Sequence, residues 1–160
     1  TDALRPKETR ALAVLATRSP SPASTSVIGL ALRAIGSLAQ VARKYKRVCA
    51  VTISDSGDYG IIKLLLNKPE DGCEALKRDG IAATLKEIVA VKMDDRPGGL
   101  FNVSRIIREA GVNVEDAYGF ILESGKSAVF IFQVDNVRAV EKILQDSGIP
   151  TLQEKELYML

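Results

Sequence analysis

The sequence predicts an α+β fold made of two β-α-β-β-α-β units in tandem. Three observations lead to this prediction: an internal repeat, apolar runs of strand length that alternate with helical patterns, and hairpin turns at equivalent places in both halves. Ile53–Gly57 matches Ile121–Gly125, and Leu76–Ile81 matches Leu144–Ile149 at the same spacing. This element order is that of the ferredoxin-like fold, an antiparallel sheet with both helices on one face.

Composition places few constraints on partners but excludes several kinds of chemistry. The 160 residues are 46% apolar and carry a formal net charge of +2, with the basic residues spread out, so neither a nucleic acid nor a membrane is indicated. There is no histidine, which excludes Ser-His-Asp catalysis and histidine-bound metals. The two cysteines have no metal spacing. We therefore expect a cytoplasmic protein without catalytic residues, metal or cofactor.

Residues 1–25 are predicted to be an irregular N-terminal extension. The stretch is rich in arginine, and Ser19–Ser26 has the composition of a linker. Leu4–Ala16 is compatible with a short helix. An acid-poor leader rich in arginine and serine is also typical of a transit peptide, but a poorly ordered extension is the expectation.

The first unit is predicted to span residues 26–86. Its strands are bounded by a Gly-containing turn at Asp55–Asp58, and its second helix begins with proline at a favoured first-turn position and ends at glycine. The predicted elements are a strand at Val27–Leu32, a helix at Gly36–Arg47, strands at Val48–Ser54 and Gly60–Asn67, and a helix at Pro69–Gly80.

The second unit is predicted to span residues 87–160 in the same order. Ile81–Met93 contains no breaker, so the last strand of the first unit should lead directly into the first strand of the second, with the two sheets side by side. The remaining elements are a helix at Gly99–Gly111, a strand at Val112–Leu122, a turn at Glu123–Lys126, a strand at Ser127–Val134, a helix at Val137–Asp146 and a strand at Pro150–Tyr158.

The strand Ser127–Val134 is apolar on both faces. Val129 and Ile131 alternate with Phe130, Phe132 and Val134. We therefore expect the sheet to be covered on the side away from the helices as well, which favours a homodimer.

The stretch Asp94–Leu100 is predicted to turn the chain from a strand into a helix. Pro97 suits the first turn of a helix, and Asp95 can cap free backbone N–H groups. Gly98 and Gly99 have no Cβ, so another molecule can approach their backbone. The N–H groups and the helix dipole then favour a carboxylate, although a well-capped turn that binds nothing has the same sequence pattern.

The sequence of the second half resembles that of a known family. Asp95–Leu100, followed by a helix and by Gly111–Val114, resembles the ACT domain, with its Asp-x-Pro-Gly-x-Leu turn and Gly-(Ile/Val)-Asn-(Ile/Val) segment. The whole chain resembles small stand-alone tandem ACT proteins and, more distantly, the small regulatory subunit of acetolactate synthase. ACT domains are regulatory modules that bind small ligands, usually amino acids, where two domains meet.

The resemblance implies a non-enzymatic regulatory protein that binds an amino acid, plausibly a branched-chain one, and acts on an amino-acid biosynthetic enzyme. In the first unit, Arg33–Leu38 retains only the glycine and leucine of the turn, and that unit is shorter between its first helix and second strand. We therefore expect at most one good site in the chain. The implied ligand-binding residues are Asp95, Arg96, Pro97, Gly98, Gly99, Leu100 and Asn113.

Four other interpretations remain open from the residues. Lys126–Phe132 resembles the third strand of an RNA-recognition domain, which has the same strand order, but Ser127 and Ala128 replace its glycine and first aromatic. The carboxylates around Asp94 and Asp116 could serve an enzyme, but they lack a catalytic spacing. The chain could also be a pure dimerisation module or a regulatory fragment of a larger enzyme.

Overall fold

The computed structural model describes residues 10–17, 36, 48–55 and 59–159. The described residues fall into two compact units, one from Arg10 to Lys86 and one from Glu87 onward. Each unit contains a four-stranded sheet. Within this part of the chain, no helix combines the length and the apolar character needed to span a membrane.

The sheet of the first unit has the strand order β2-β3-β1-β4. β3 pairs antiparallel with both β1 and β2. Leu12 of β1 lies opposite Leu64 of β3, and Asp55 of β2 lies opposite Gly60 of β3. The predicted hairpin is therefore formed, although its turn residues lie outside the described part. The elements are β1 (Arg10–Thr17), β2 (Val48–Asp55), β3 (Tyr59–Leu66), α1 (Pro69–Arg78) and β4 (Ala83–Glu87).

β1 corrects the prediction for the N-terminal region. The helix predicted over Leu4–Ala16 is wrong from residue 10 onward, and the strand lies within the stretch predicted to be an irregular extension. A short apolar run does not distinguish helix from strand by periodicity, and here pairing with β3 decides. The predicted strand at Val27–Leu32 and most of the helix at Gly36–Arg47 lie outside the described residues, although Gly36 itself is helical.

The sheet of the second unit has the order β6-β7-β5-β8, which reproduces the order of the first sheet. β4 and β5 are separated by Ile88 alone, so the predicted passage from one unit into the next is confirmed. The arrangement of the two sheets side by side stays a prediction. The elements are β5 (Val89–Met93), α2 (Gly99–Glu109), β6 (Val114–Glu123), β7 (Ser127–Val134), α3 (Val137–Asp146), β8 (Thr151–Leu152) and α4 (Glu154–Met159).

The repeat is not uniform between the first two strands of each unit. Residues 18–47 lie between β1 and β2, whereas residues 94–113 lie between β5 and β6. The connection as a whole is therefore longer in the first unit. The shortening that the sequence predicts after its first helix falls on residues 37–47, outside the described part.

The two long helices of the second unit, α2 and α3, pack on one face of its sheet, as predicted. The apolar core joins α2 and α3 to alternate residues of β5 and β7. Each fully buried aliphatic side chain of this kind contributes about 1.5–3 kcal/mol. On the opposite face, Val129 and Ile131 are also fully buried, which confirms that this face is covered. The core residues are Val89, Val91, Val103, Ile107, Phe132, Val134, Val137, Val140 and Leu144.

The C-terminal end differs from the prediction of one strand over Pro150–Tyr158. β8 contains only two residues, and the chain then forms the short helix α4. The backbone N–H of Gln153 donates to Glu156 Oε2 at 2.9 Å, and the N–H of Leu157 donates to the carbonyl of Gln153 at 3.0 Å. A glutamate that reaches back to the residue before a helix is half of a capping box, and it favours the helix over a longer strand.

Candidate ligand-binding cleft

The segment between β5 and α2 is a tight turn whose proline and glycine occupy positions that suit them. The N–H of Gly99 donates to the carbonyl of Arg96 at 3.0 Å, which closes a four-residue turn. Gly98 has φ +93° and ψ −14°, the conformation of the third residue of a type II turn, where glycine is favoured and proline is common just before it. Pro97 therefore precedes α2, and its predicted place in the first helical turn is wrong.

The two glycines serve different purposes. A Cβ built on Gly99 would lie 2.2 Å from the carbonyl oxygen of Asp94, so any side chain there would collide with the backbone of the turn. A Cβ on Gly98 would meet no atom within 4 Å. Gly99 therefore allows the helix to start close to β5, whereas Gly98 supplies the positive φ and leaves open space beside the turn.

The backbone amides of the turn are only partly available to a ligand. The amide of Gly99 is used by Arg96, and the amide of Asn102 donates to the carbonyl of Gly98 at 3.0 Å. Within the described residues, the amides of Gly98, Leu100 and Phe101 have no hydrogen-bond acceptor. Unpaired amides at a helix N-terminus, together with the helix dipole, favour a negatively charged group.

Asp95 connects the turn to the hairpin between β6 and β7. Its Oδ2 accepts a hydrogen bond from the N–H of Gly125 at 2.7 Å, and its own N–H donates to the carbonyl of Lys126 at 3.3 Å. The residue that caps α2 is Gly98, and no side chain caps that end of the helix. Asp95 therefore caps a free backbone N–H, but this N–H belongs to the hairpin turn and not to α2, and the carboxylate positions the turn before α2.

We expect Asp95→Ala to lower the free energy of unfolding by about 1 kcal/mol, because the N–H of Gly125 loses a charge-assisted partner at a partly exposed site. Urea unfolding followed by circular dichroism measures this loss. Asp94→Ala is the matched control, since the exposed Asp94 side chain forms no hydrogen bond within the described residues, and it should change stability by less than about 0.5 kcal/mol. Equal effects of the two substitutions would contradict this role.

A cleft of about 680 Å³ lies in the second unit between α2, the start of β6 and the aromatic residues of β7. Leu100, from the turn, and Asn113, just before β6, both line it, so the structure brings together these two predicted site residues. The volume is in the range of small-molecule sites. The lining residues are Leu100, Ser104, Ile107, Arg108, Gly111, Val112, Asn113, Val114, Ala117, Phe130 and Phe132.

The other predicted residues are not in this cleft. Gly99 lines a smaller cleft of about 330 Å³ that also includes Lys92, Asn102 and Pro150. Four residues, Asp95, Arg96, Pro97 and Gly98, line neither of the two clefts. The structure therefore separates the predicted set into two lining residues, one residue of a neighbouring cleft and four residues that shape the turn.

Sequence reasoning missed several residues of the larger cleft. Phe130 and Phe132 form part of its wall, with ring centroids 5.0 Å apart and ring planes at 54°. The alternation of residues along β7 indicated that Phe130 and Phe132 share one face of the sheet. No sequence pattern indicated that this face lies beside Asn113. Ser104 and Arg108 add polar groups from α2. Their spacing of four residues on the helix was the signal that could have found them.

The neighbouring polar groups offer no second chemistry in the described part of the chain. Tyr118 follows a cleft residue in β6, so its side chain points to the opposite face of the sheet. Burial, with a smaller contribution from the charge of Asp116, raises the pKa of the Tyr118 hydroxyl, so this group stays protonated at neutral pH. No three metal-ligating side chains converge among the residues that the structure describes.

Two units with the same strand order in one chain, the second with a cleft beside its first helix, define a tandem α+β protein. The family model of the ACT domain pair matches residues 31–160. The chain therefore belongs to the ACT domain family, whose domains are regulatory rather than catalytic.

Solved structures share this fold. Protein BT0572 from Bacteroides thetaiotaomicron superposes with a TM-score of 0.78 at 20% identity, over 96% of this chain and 97% of that one. The ligand-free regulatory subunit of aspartate kinase from Thermus thermophilus gives 0.59 at 15% identity, over 89% and 95%. The corresponding subunit from Thermus flavus gives 0.54 at 16% identity, over 89% and 94%. At these identities the likeness shows the fold alone. No curated protein matches the chain.

Proposed function

We propose that the second unit binds an amino acid and that its occupancy regulates a partner protein of amino-acid metabolism. The observation that carries this proposal is the shared cleft: Leu100, in the first turn of α2, and Asn113, after its C-terminus, line one concave site that runs along this helix. Membership of the ACT family supports a regulatory role.

The cleft suits an amino acid with an apolar side chain. Phe130, Phe132 and Leu100 offer an apolar wall, and Asn113 can donate to a carboxylate or accept from an ammonium group. The amide of Leu100, without an acceptor in the described part, adds a donor where this residue lines the cleft. A branched-chain or aromatic amino acid fits this combination of apolar wall and polar rim.

Regulation would follow from differential binding. A ligand held by α2 and by the start of β6 stabilises the conformation in which both segments reach it. Similar folds occur in proteins named regulatory subunits of aspartate kinase, which supports an amino-acid biosynthetic enzyme as the partner. We place this activity in the cytoplasm and in a homodimer, with one site per chain, in the second unit.

A thermal-shift screen over the twenty amino acids tests the proposal. A ligand at 100 times its Kd stabilises the native state by about 2.7 kcal/mol, which is a clear rise in Tm. Gly98→Asp places a negative charge beside the turn, and Asn113→Ala removes the amide, so both should reduce the shift. Lys142→Ala, which alters only an exposed ion pair with Asp146 on α3, should keep it. If no amino acid raises Tm, the proposal is wrong.

Exposed apolar side chains favour a second candidate, a pure dimerisation module. Phe101 is 66% exposed and Ile121 is 60% exposed, and both lie on the unit that contains the cleft. Large exposed apolar side chains of this kind are common where proteins meet. Sedimentation with and without the amino acid found by the screen separates the two: a dimer without any ligand effect supports this candidate.

A further inference from the structure

Among the residues that the structure describes, Arg108 is the one charged residue that lines the larger cleft. It lies in the last turn of α2 and is exposed. Within the described part of the chain its guanidinium has no ion pair or hydrogen bond, whereas Arg105, nearly one turn earlier, donates to Glu109 at 2.8 Å. The charge of Arg108 is therefore available to a ligand.

The charge of the lining determines which group of a ligand is recognised. Eleven described residues line the cleft, of which Arg108 is cationic, Ser104 and Asn113 are polar and neutral, and none is acidic. A ligand carboxylate would thus meet a guanidinium, but a ligand ammonium would meet no carboxylate of the cleft. Guanidinium groups bind carboxylates through two parallel hydrogen bonds, a geometry that a lysine ammonium does not reproduce.

We propose that Arg108 binds the carboxylate of the ligand, and that the cleft recognises a small carboxylic acid with an apolar body whether or not it carries an α-amino group. Apolar 2-oxo acids then bind in the same place as the corresponding amino acids. This inference rests on the proposed function for the location of the site. It adds the chemical class of the ligand and the residue that selects it.

A purely structural role for Arg108 predicts different behaviour. A cation in the last turn of a helix interacts favourably with the helix dipole, and that interaction does not depend on any ligand. Replacing Arg108 would then lower stability slightly and leave the preference among ligand analogues unchanged. The preference for acid over amide is therefore the informative readout.

The test is isothermal titration of the full chain with leucine, 4-methyl-2-oxopentanoate and leucinamide, and with the phenylalanine series of the same three compounds. We expect the amino acid and the oxo acid to bind within about tenfold of each other, and the amide to bind at least roughly tenfold more weakly. Raising the ionic strength should weaken binding of the acids more than binding of the amide, because the amide lacks the negative charge.

The variants assign this preference to one residue. Arg108→Gln should weaken binding of both acids by roughly ten- to hundredfold and leave the amide unchanged, and Arg108→Lys should restore only part of the loss. Arg105→Gln, a matched change at a residue outside the lining, should have no effect on binding. Circular dichroism verifies that each variant is folded.

The outcomes separate this inference from the proposed function. If leucine or phenylalanine binds but its oxo acid does not, or if Arg108→Gln leaves acid binding intact, the inference is overturned and the proposed function stands. If no compound of either series binds and the thermal-shift screen is also negative, both are overturned.

Discussion

Replacing Gly99 with alanine should lower the free energy of unfolding of the second unit by roughly 1–3 kcal/mol, the usual range for overpacking. The Cβ of the new residue would lie 2.2 Å from the carbonyl oxygen of Asp94, and a backbone atom cannot rotate away as a side chain can. The start of α2 must therefore move away from β5. Because Leu100 follows directly and lines the larger cleft, ligand affinity should fall as well.

Gly36→Ala is the matched control for this substitution. Gly36 is helical, a Cβ there would meet no atom of the described residues within 4 Å, and its φ is not in the left-handed region. Alanine in a helix is favoured over glycine by roughly 0.5–1 kcal/mol, so this variant should be as stable as the parent protein or more stable. Chemical denaturation of both variants measures the contrast, and a Gly99→Ala protein of unchanged stability would refute the geometry of the turn.

The second unit was largely predictable because its local signals agree with one another. Pro97 and Gly98 mark the turn before α2, and positive φ at Gly111 and Gly148 ends its two long helices where the sequence indicated. The hairpin turn at Gly125, which has a positive φ, links the antiparallel strands β6 and β7. Consistent local signals of this kind are what makes element order readable from one sequence.

The two incorrect elements are those that depend on distant partners or on a single side chain. The apolar run of β1 is compatible with a helix by periodicity, and only the pairing with β3 makes it a strand. Around Pro150 the β-compatible residues suggested one strand to the end, but the carboxylate of Glu156 favours helix α4 instead. Neither contact has a signature in local periodicity.

The candidate site also has one part that local sequence signals predict and another part that they do not predict. The turn and Asn113 were found because their motif is contiguous in sequence. The aromatic wall was not found, because its position depends on the register between β6 and β7. In that register Gly119 lies opposite Phe130, and the pairing shifts between Val114 and Asp116. Arg108 was missed because nothing in its sequence neighbours marks it as unpaired. Residues that converge through packing are therefore the part of a site that one sequence does not specify.

Replacing Gly119 with alanine should have the second large effect, a loss of roughly 1–3 kcal/mol together with a change in ligand affinity. A Cβ on Gly119 would lie 2.6 Å from Cδ2 of Phe130 and 2.9 Å from the carbonyl oxygen of Val129. The ring of Phe130 must move, and since it lines the cleft beside Phe132, the apolar wall changes shape. Urea denaturation and titration with the ligand found by the screen measure both effects.

A double-mutant cycle identifies the cause of this effect. Phe130→Ala alone should cost stability, because it removes a half-buried ring, but in the Gly119→Ala background it also removes the ring atoms that the new Cβ would meet. The two losses should therefore be less than additive, with a coupling energy of about 0.5–3 kcal/mol. Rescue should stay incomplete, because the carbonyl of Val129 is backbone and remains 2.9 Å away. Strictly additive losses of stability would show that the ring of Phe130 does not restrict the space for a side chain at position 119. The shape of the cleft wall would then be determined by another contact.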